Sequence, residues 1–357
     1  MDFLEVLWHC LRYGTAESHS TEKASIENGR KGDDSTSEIG IKDQRFGVEV
    51  EMTGITREQA ANALASYFGT EARHKGGAYD TWTVKDPEGK EWKLMSDSSI
   101  VAEKKTGNVY VPVNDTCYRV EMVTPKLTYP EMGKFQECVR QVRHAGAKVN
   151  QSCGLHVHVD GANHNCQSLK NLLSIMFSKE DLLFKALQVN EKRAENYCKK
   201  VREPMLRQAR KLSGGSSGSM TELEKIWYEG NIGDRDHYNW TRYFAANIHS
   251  MFYRGTVEFR MFNSTLHAGK AAAYVNLCLA ISAQAIAQRS TVMRRTQSDN
   301  EAFTFRVWLV RMGLNGDEFK NTRKHLLEHL DGDRAWRHDK DSYPVNQKKK
   351  KRGQAER

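Results

Sequence analysis

From residue 46 to about residue 330 the chain switches repeatedly between two hydrophobic periods. Phe46 to Met52 alternates in period two, and Thr56-Arg-Glu-Gln59 then has the capping-box signature that opens an amphipathic helix to about Phe68. Tyr79 to Lys85 and Glu91 to Met95 read as two strands joined by Asp86-Pro-Glu-Gly89, a β-hairpin turn. A strand is expected from Cys117 to Val123, and a helix from about Pro130 to His144 that stops at Gly146. Ser152 to Asp160 reads as a strand leading into one long helical region, Leu169 to Leu212. Thr221 to Tyr228 follows as a short helix and Gly255 to Asn263 as a strand. An Ala-rich helix from about Ala268 to Gln288 comes next, then helices near Phe303 to Met312 and Asp317 to Leu330. The order predicts an α+β fold with antiparallel pairing in its sheet.

Four of these strands carry reactive groups on one parity and apolar groups on the other. Val48 and Val50 oppose Glu49 and Glu51; Val120 and Met122 oppose Arg119 and Glu121. Leu155, Val157 and Val159 oppose His156 and His158; Val257, Phe259 and Met261 oppose Glu258 and Arg260. Side chains two apart in a strand share a face. If the apolar parities all meet the helices, one sheet face gathers four carboxylates, two arginines and two histidines. Stacked carboxylates repel unless a cation lies between them. Glu-x-Glu suits a hard divalent ion such as Mg²⁺ or Mn²⁺, and with Glu121, Glu258 and His156 it makes a site for two or three ions that could hold nucleotide phosphates. Arg260 adds a permanently charged fork. The chain has no G-x-x-x-x-G-K-[ST] loop, so ATP would have to be held by metal and arginine.

At 357 residues with 39% hydrophobic content, the chain has material for a large core. The net charge of +9 is concentrated at the end, where Lys348, Lys349, Lys350, Lys351, Arg352 and Arg357 face only Glu356. Such a run reads as a solvated, disordered tail that could contact RNA, DNA or acidic lipid, and the remainder does not demand a nucleic-acid partner. The seven scattered cysteines fit a reducing, intracellular, cytoplasmic setting. No secretory signal is expected, and the apolar stretch Ala271 to Ala287, broken by Asn276, Ser282 and Gln284, falls short of a membrane span. The organisation expected is a polar leader over 1–44 and a catalytic domain over 45–332. That domain would carry a helical insertion at about 165–235, itself broken by Ser213-Gly-Gly-Ser-Ser-Gly-Ser219, and a basic tail would occupy 333–357.

Five motifs occur in order: Phe46-Gly-Val-Glu-Val-Glu51, Ser96-Asp97-Ser98-Ser99-Ile100, Val120-Glu121-Met-Val-Thr-Pro125, Cys153-Gly-Leu-His-Val-His-Val-Asp160 and Thr256-Val-Glu-Phe-Arg-Met-Phe-Asn263. The set, spanning about residues 46 to 290, resembles the amidoligase family, relatives of glutamine synthetase and glutamate–cysteine ligase. The resemblance implies a curved, mainly antiparallel sheet with helices on one face and the active site on the other. It also implies an ATP-dependent carboxylate–amine ligase that forms an amide through an acyl phosphate. Carried over by position, Glu49, Glu51, Glu121, His156 and Glu258 would be divalent-metal ligands. His158 would contact the nucleotide, Arg260 the transferred phosphoryl group or the acyl substrate, and Asp97 would be an acidic site residue able to take the ammonium proton. Asn239-Trp-Thr-Arg-Tyr-Phe-Ala-Ala-Asn247 resembles a further family segment, making Arg242 and Asn247 phosphate or substrate contacts. The acid and amine, whether amino acid, peptide or protein, are not legible, nor is the oligomeric state.

Two other readings share these residues. His-Val-His-Val-Asp160 is similar to the H-x-H-x-D-H of zinc hydrolases, with Gly161 where the last His would stand, and Cys153 could join the two histidines on zinc. An inactive nucleic-acid-associated module would rely on the tail, yet the body has no interleaved basic and aromatic stretch. Trp227, Tyr228, Tyr238 and Trp240 read as packing rather than a base-stacking platform.

Overall fold

A computed structural model describes residues 39–213, 219–230 and 238–338. Of the leader expected over 1–44, residues 1–38 lie outside the described residues, as do the centre of the Ser/Gly loop and, of the tail expected over 333–357, the residues beyond 338.

The strands are β1 (Arg45–Met52), β2 (Ala72–Gly76), β3 (Thr81–Lys85), β4 (Glu91–Met95), β5 (Glu103–Thr106), β6 (Val109–Pro112), β7 (Val120–Val123), β8 (Leu127–Thr128), β9 (Gly154–Asp160), β10 (Ala246–Asn247) and β11 (Thr256–Asn263). The α-helices are α1 (Arg57–Phe68), α2 (Met132–His144), α3 (Cys166–Leu187), α4 (Glu191–Asn196), α5 (Glu203–Ala209), α6 (Ser219–Trp227), α7 (His249–Arg254), α8 (Ala268–Ala287), α9 (Glu301–Arg311) and α10 (Lys320–Leu326). Nine strands form one sheet in the order β10-β11-β9-β1-β7-β4-β3-β2, with β8 also on β1, and its strand pairings are antiparallel. The chain is therefore α+β with a mainly antiparallel sheet.

The apolar parity of the central strands faces the helices as expected. Val48, Val50, Met122, Leu155, Val157 and Val257 are buried beneath α1, α2, α3 and α8. The capping box of α1 forms: Thr56 Oγ1 accepts from the Gln59 N–H at 3.2 Å and Gln59 Oε1 from the Thr56 N–H at 2.9 Å. α8 is long and apolar enough, by length and composition, to cross a membrane, but 78% of its most apolar window is buried inside the fold. The helix lies against β9, β1 and α3, so that apolar surface is used within the domain. Residues before β1 are tied to it, with Gln44 Nε2 donating to the Leu279 carbonyl at 2.8 Å and Ser282 Oγ donating to Gln44 Oε1 at 2.5 Å.

Several local expectations are corrected. The strand expected from Cys117 begins only at Val120, because Thr116–Tyr118 forms a 3₁₀ turn capped by Asp115, whose Oδ1 accepts from the Cys117 N–H at 2.9 Å. The buried Arg57 guanidinium then takes the Thr116 and Arg119 carbonyls at 2.6 and 2.9 Å, leaving Arg119 outside the sheet. The long helix expected from Leu169 breaks at Gln188, which is in the left-handed region (φ 48°), and resumes as two short helices, the second with a proline in its first turn. β2, the β5–β6 hairpin, β8 and β10 are short elements that hydrophobic periodicity does not reveal. In β11 a register shift between Phe259 and Phe262 brings Phe262, rather than Met261, opposite Leu155, with both the Phe262 and Met261 side chains buried in the core. There the Phe262 ring stacks on Tyr274 of α8 at 4.4 Å. Trp227 and Tyr228 are buried, whereas Tyr238 and Trp240 are exposed and make ring contacts at the surface.

Candidate active site

Strand register brings the reactive parity together. Glu49 of β1 stands opposite His156 of β9, Glu51 opposite Glu121 of β7, and His158 opposite Glu258 of β11. These six residues come from four adjacent strands on the face away from the helices. They form the floor of a cleft of about 570 Å³ that touches Glu49, Glu51, Glu121, His156 and Glu258, with His158 lining an adjoining chamber. The walls include Asp97 from the turn after β4, Arg242 and Asn247 around β10, and Arg254 of α7. The cleft thus unites the sequence-predicted site residues, His158 from the side chamber; Arg119 does not join them.

Contacts inside the cluster are dense. Glu49 lies 3.0 Å from His156 Nδ1 through one oxygen and 3.2 Å from His158 Nε2 through the other. Glu258 accepts from Asn247 Nδ2 at 2.7 Å and is paired with Arg260, whose Nε donates to the Tyr197 carbonyl at 3.3 Å. His158 Nδ1 faces Thr256 Oγ1 at 3.1 Å, which orients the ring. Glu51 accepts from the Gly154 N–H at 2.6 Å. Glu121, by contrast, has no hydrogen-bond or ion-pair partner among the described residues.

The carboxylates divide into two electrostatic kinds. Burial opposes ionisation of Glu49 and Glu258, yet their neighbours prevail and hold both below the usual carboxylate range: electrostatic and hydrogen-bond interactions with the His158 and His156 rings for Glu49, and first of all the Arg260 guanidinium for Glu258. Burial, followed by the charge of Asp97, raises Glu51 to about 7. Glu121 is pushed well above its ordinary value by burial and by the charges of Glu49, Asp97 and Glu51. His156 is lowered to about 4, first by burial and then by the Arg260 charge, so its ring is a neutral donor of lone pairs at neutral pH.

Two overlapping ligand sets result. Glu49, His156 and Glu258 offer atoms within 4.8 Å of one another, as do Glu51, Glu121 and His156. His156 is shared, and its Nε2, like His158 Nε2, is buried without a hydrogen-bond partner among the described residues. Oxygen-rich donors, mutual repulsion and a buried His156 Nε2 that makes no hydrogen bond fit a divalent cation with mixed oxygen and nitrogen preference. Neither set contains Cys153, whose thiol instead lies 3.4 Å from Asn150 Oδ1.

Sequence reasoning missed several cleft residues. Tyr79, Tyr197, Tyr243 and Tyr253 line it, together with Lys93 and Arg193. Lys93 had a legible signal: it is two residues before Met95, which pairs with Glu121, and so shares that face of β4. Arg193 had none, since it arrives from a six-residue helix remote from the motifs.

An α+β protein whose antiparallel sheet carries an acid–histidine cluster in an open cleft is the class that fold and site define. A family model described as "Putative amidoligase enzyme" matches residues 42–282, and the chain belongs to this family. That membership supports a ligase activity in general. Comparison with curated proteins finds no match.

Proposed function

We propose that the protein is an ATP-dependent ligase joining a carboxylate to an amine, built on a glutamine-synthetase-like catalytic fold. The observation that carries this reading is the pair of ligand sets meeting at His156, formed by four adjacent strands on one sheet face. Glu49, His156 and Glu258 would hold one Mg²⁺ or Mn²⁺, and Glu51, Glu121 and His156 a second. Cations bound there would neutralise charge on the nucleotide phosphates.

The protein's own groups have separable tasks. In the reaction, a carboxylate oxygen attacks the γ-phosphorus of ATP with loss of ADP, and an amine then displaces phosphate from the acyl carbon. Arg260, fixed by Glu258 and the Tyr197 carbonyl, directs permanent positive charge at the phosphoryl or acyl group. Arg242 reaches the same cleft with its guanidinium over the Tyr238 and Tyr243 rings at 5.8 and 5.5 Å, a placement suited to anion capture at the mouth. Asn247 holds Glu258 at 2.7 Å and accepts from the Ser250 N–H at 3.3 Å, so it acts on the reactants through Glu258. His158 borders both the cluster and the adjoining chamber, a position suited to the nucleotide. Asp97 is only half-buried and can take the proton of the attacking ammonium.

The test is Mg²⁺-dependent release of ADP from ATP in the presence of pooled acids and amines, with mass detection of the condensed product. ADP release that needs both pools supports the ligase. Stoichiometric zinc after purification, with no ATP consumption, overturns it in favour of hydrolysis.

A further inference from the structure

We propose that Arg193 is an oxyanion-binding residue of the cleft, one that receives a carboxylate or phosphoryl group of the reactants. The identity of those reactants rests on the ligase reading; the binding itself does not.

The placement of Arg193 is built by the fold. Asn263, at the end of β11, donates from Nδ2 to the Gln188 carbonyl at 2.7 Å and accepts the Asn190 N–H at 3.2 Å, fixing the turn that starts α4. Asn190 caps α4 by accepting the Lys192 N–H at 3.0 Å. Arg193 Nη2 donates to the Arg260 carbonyl at 3.2 Å. The guanidinium is thereby held beside β11, next to the residue assigned to charge stabilisation.

It also occupies a place on the chemical face of β9. Gly154 shares the parity of His156 and His158 but has no side chain. A Cβ there would lie 2.3 Å from Arg193 Nη2, 2.5 Å from Nη1 and 2.6 Å from Cζ. The strand leaves this position bare and the helix fills it with a cation, directly beside the Glu51 end of the cluster, where the Gly154 N–H donates to Glu51.

What makes this a binding group rather than a strut is the incomplete bonding of its fork. Arg193 is 5% exposed and permanently charged, and its Nε is buried without a hydrogen bond among the described residues; its charge acts on Glu51, but no ion pair within 4.0 Å joins it to a carboxylate among those residues. A buried cation with no carboxylate in contact is only partly compensated by charges at a distance. A guanidinium fork on the wall of a cleft completes its bonding with a planar or tetrahedral oxyanion.

The experiment uses the full chain and calorimetric titration with inorganic phosphate and with succinate, each in the presence of Mg²⁺. Arg193→Ala should weaken at least one of them about tenfold or more, with direct Mn²⁺ binding changed by less than about threefold. Guanidinium ion at tens of millimolar should restore binding to that variant, which a purely structural arginine would not show. Gly154→Ala, which keeps the arginine and displaces its fork, and Arg193→Lys, which keeps the charge and loses the fork, should both weaken binding, and they carry the test should Arg193→Ala not fold. Loss confined to phosphate assigns a phosphoryl subsite, and loss confined to succinate an acid-substrate subsite. Equal affinities in wild type and the variants, or no binding of either anion to wild type, overturns the proposal. Absence of ADP formation in wild type alongside Arg193-dependent anion binding would sink the ligase reading alone.

Discussion

Replacing Glu51 by Gln keeps the side chain's shape and an acceptor for the Gly154 N–H, while removing one negative charge from beside Asp97 and Glu121. Burial and then the Asp97 charge raise the Glu51 carboxyl from 4.5 to about 7. Between those values the folded protein retains a proton that the unfolded chain has released. Metal-free stability therefore falls as pH rises through this window and is level on either side. At about 1.4 kcal/mol per pH unit the cost is on the order of 3 kcal/mol at pH 7 and above, and under ~1 kcal/mol near pH 5. In EDTA at about pH 7.5, Glu51→Gln should melt several degrees above wild type, and the gap should nearly close at about pH 5. Saturating Mn²⁺ should reverse the order, because wild type gains cation binding energy that the variant has partly lost. Circular dichroism melts read all four conditions. A variant that melts below wild type in EDTA, or a gap that persists at low pH, would refute the view that these carboxylates repel one another in the absence of a cation.

Glu258→Gln should behave oppositely, since it leaves the buried Arg260 without its carboxylate; a loss of about 3–5 kcal/mol is expected, and an unchanged Tm in EDTA would count against the pairing. His164, buried between Ser168 Oγ at 3.0 Å and Ser282 Oγ at 2.9 Å, is lowered by burial from 6.5 to about 4. Its contribution is complete above pH 6.5 and falls by roughly 3 kcal/mol as pH drops to 4, so His164→Gln should flatten the acid limb of urea-unfolding stability; an identical slope in the variant rejects this. Phe262→Ala should cost about 3–5 kcal/mol in chemical denaturation through loss of the Tyr274 stack and the cavity left behind, and a cost below ~1 kcal/mol would remove Phe262 from the core.

The fold class and the membership of the cluster were legible because strand parity is local. Period-two alternation puts Glu49 with Glu51, His156 with His158 and Glu258 with Arg260 on one parity whatever the order of the strands, and it fails at Arg119 and at the β11 register shift. The capping box at Thr56 and the turn at Asp86 are likewise short-range and form as expected. Readings that required a run of residues to stay in one element were less secure. Arg119 left its strand because Arg57, more than fifty residues away, took its carbonyl, and the helix from Leu169 ended where Asn263 ties down the Gln188 carbonyl. Both are long-range hydrogen bonds that override local propensity.

By itself, then, the sequence determined the α+β alternation, the chemical face and the ligand types upon it, since these follow from spacing and residue chemistry alone. Only the tertiary structure decided that His156 lies within reach of two carboxylate groups that could hold a cation, that Glu49 and Glu258 are held charged while Glu51 and Glu121 resist ionisation, and that Arg193 fills the space above Gly154. Those properties depend on strand order, burial and charges brought together from distant positions, and electrostatic energy in a buried cleft is set by these distances rather than by separation along the chain.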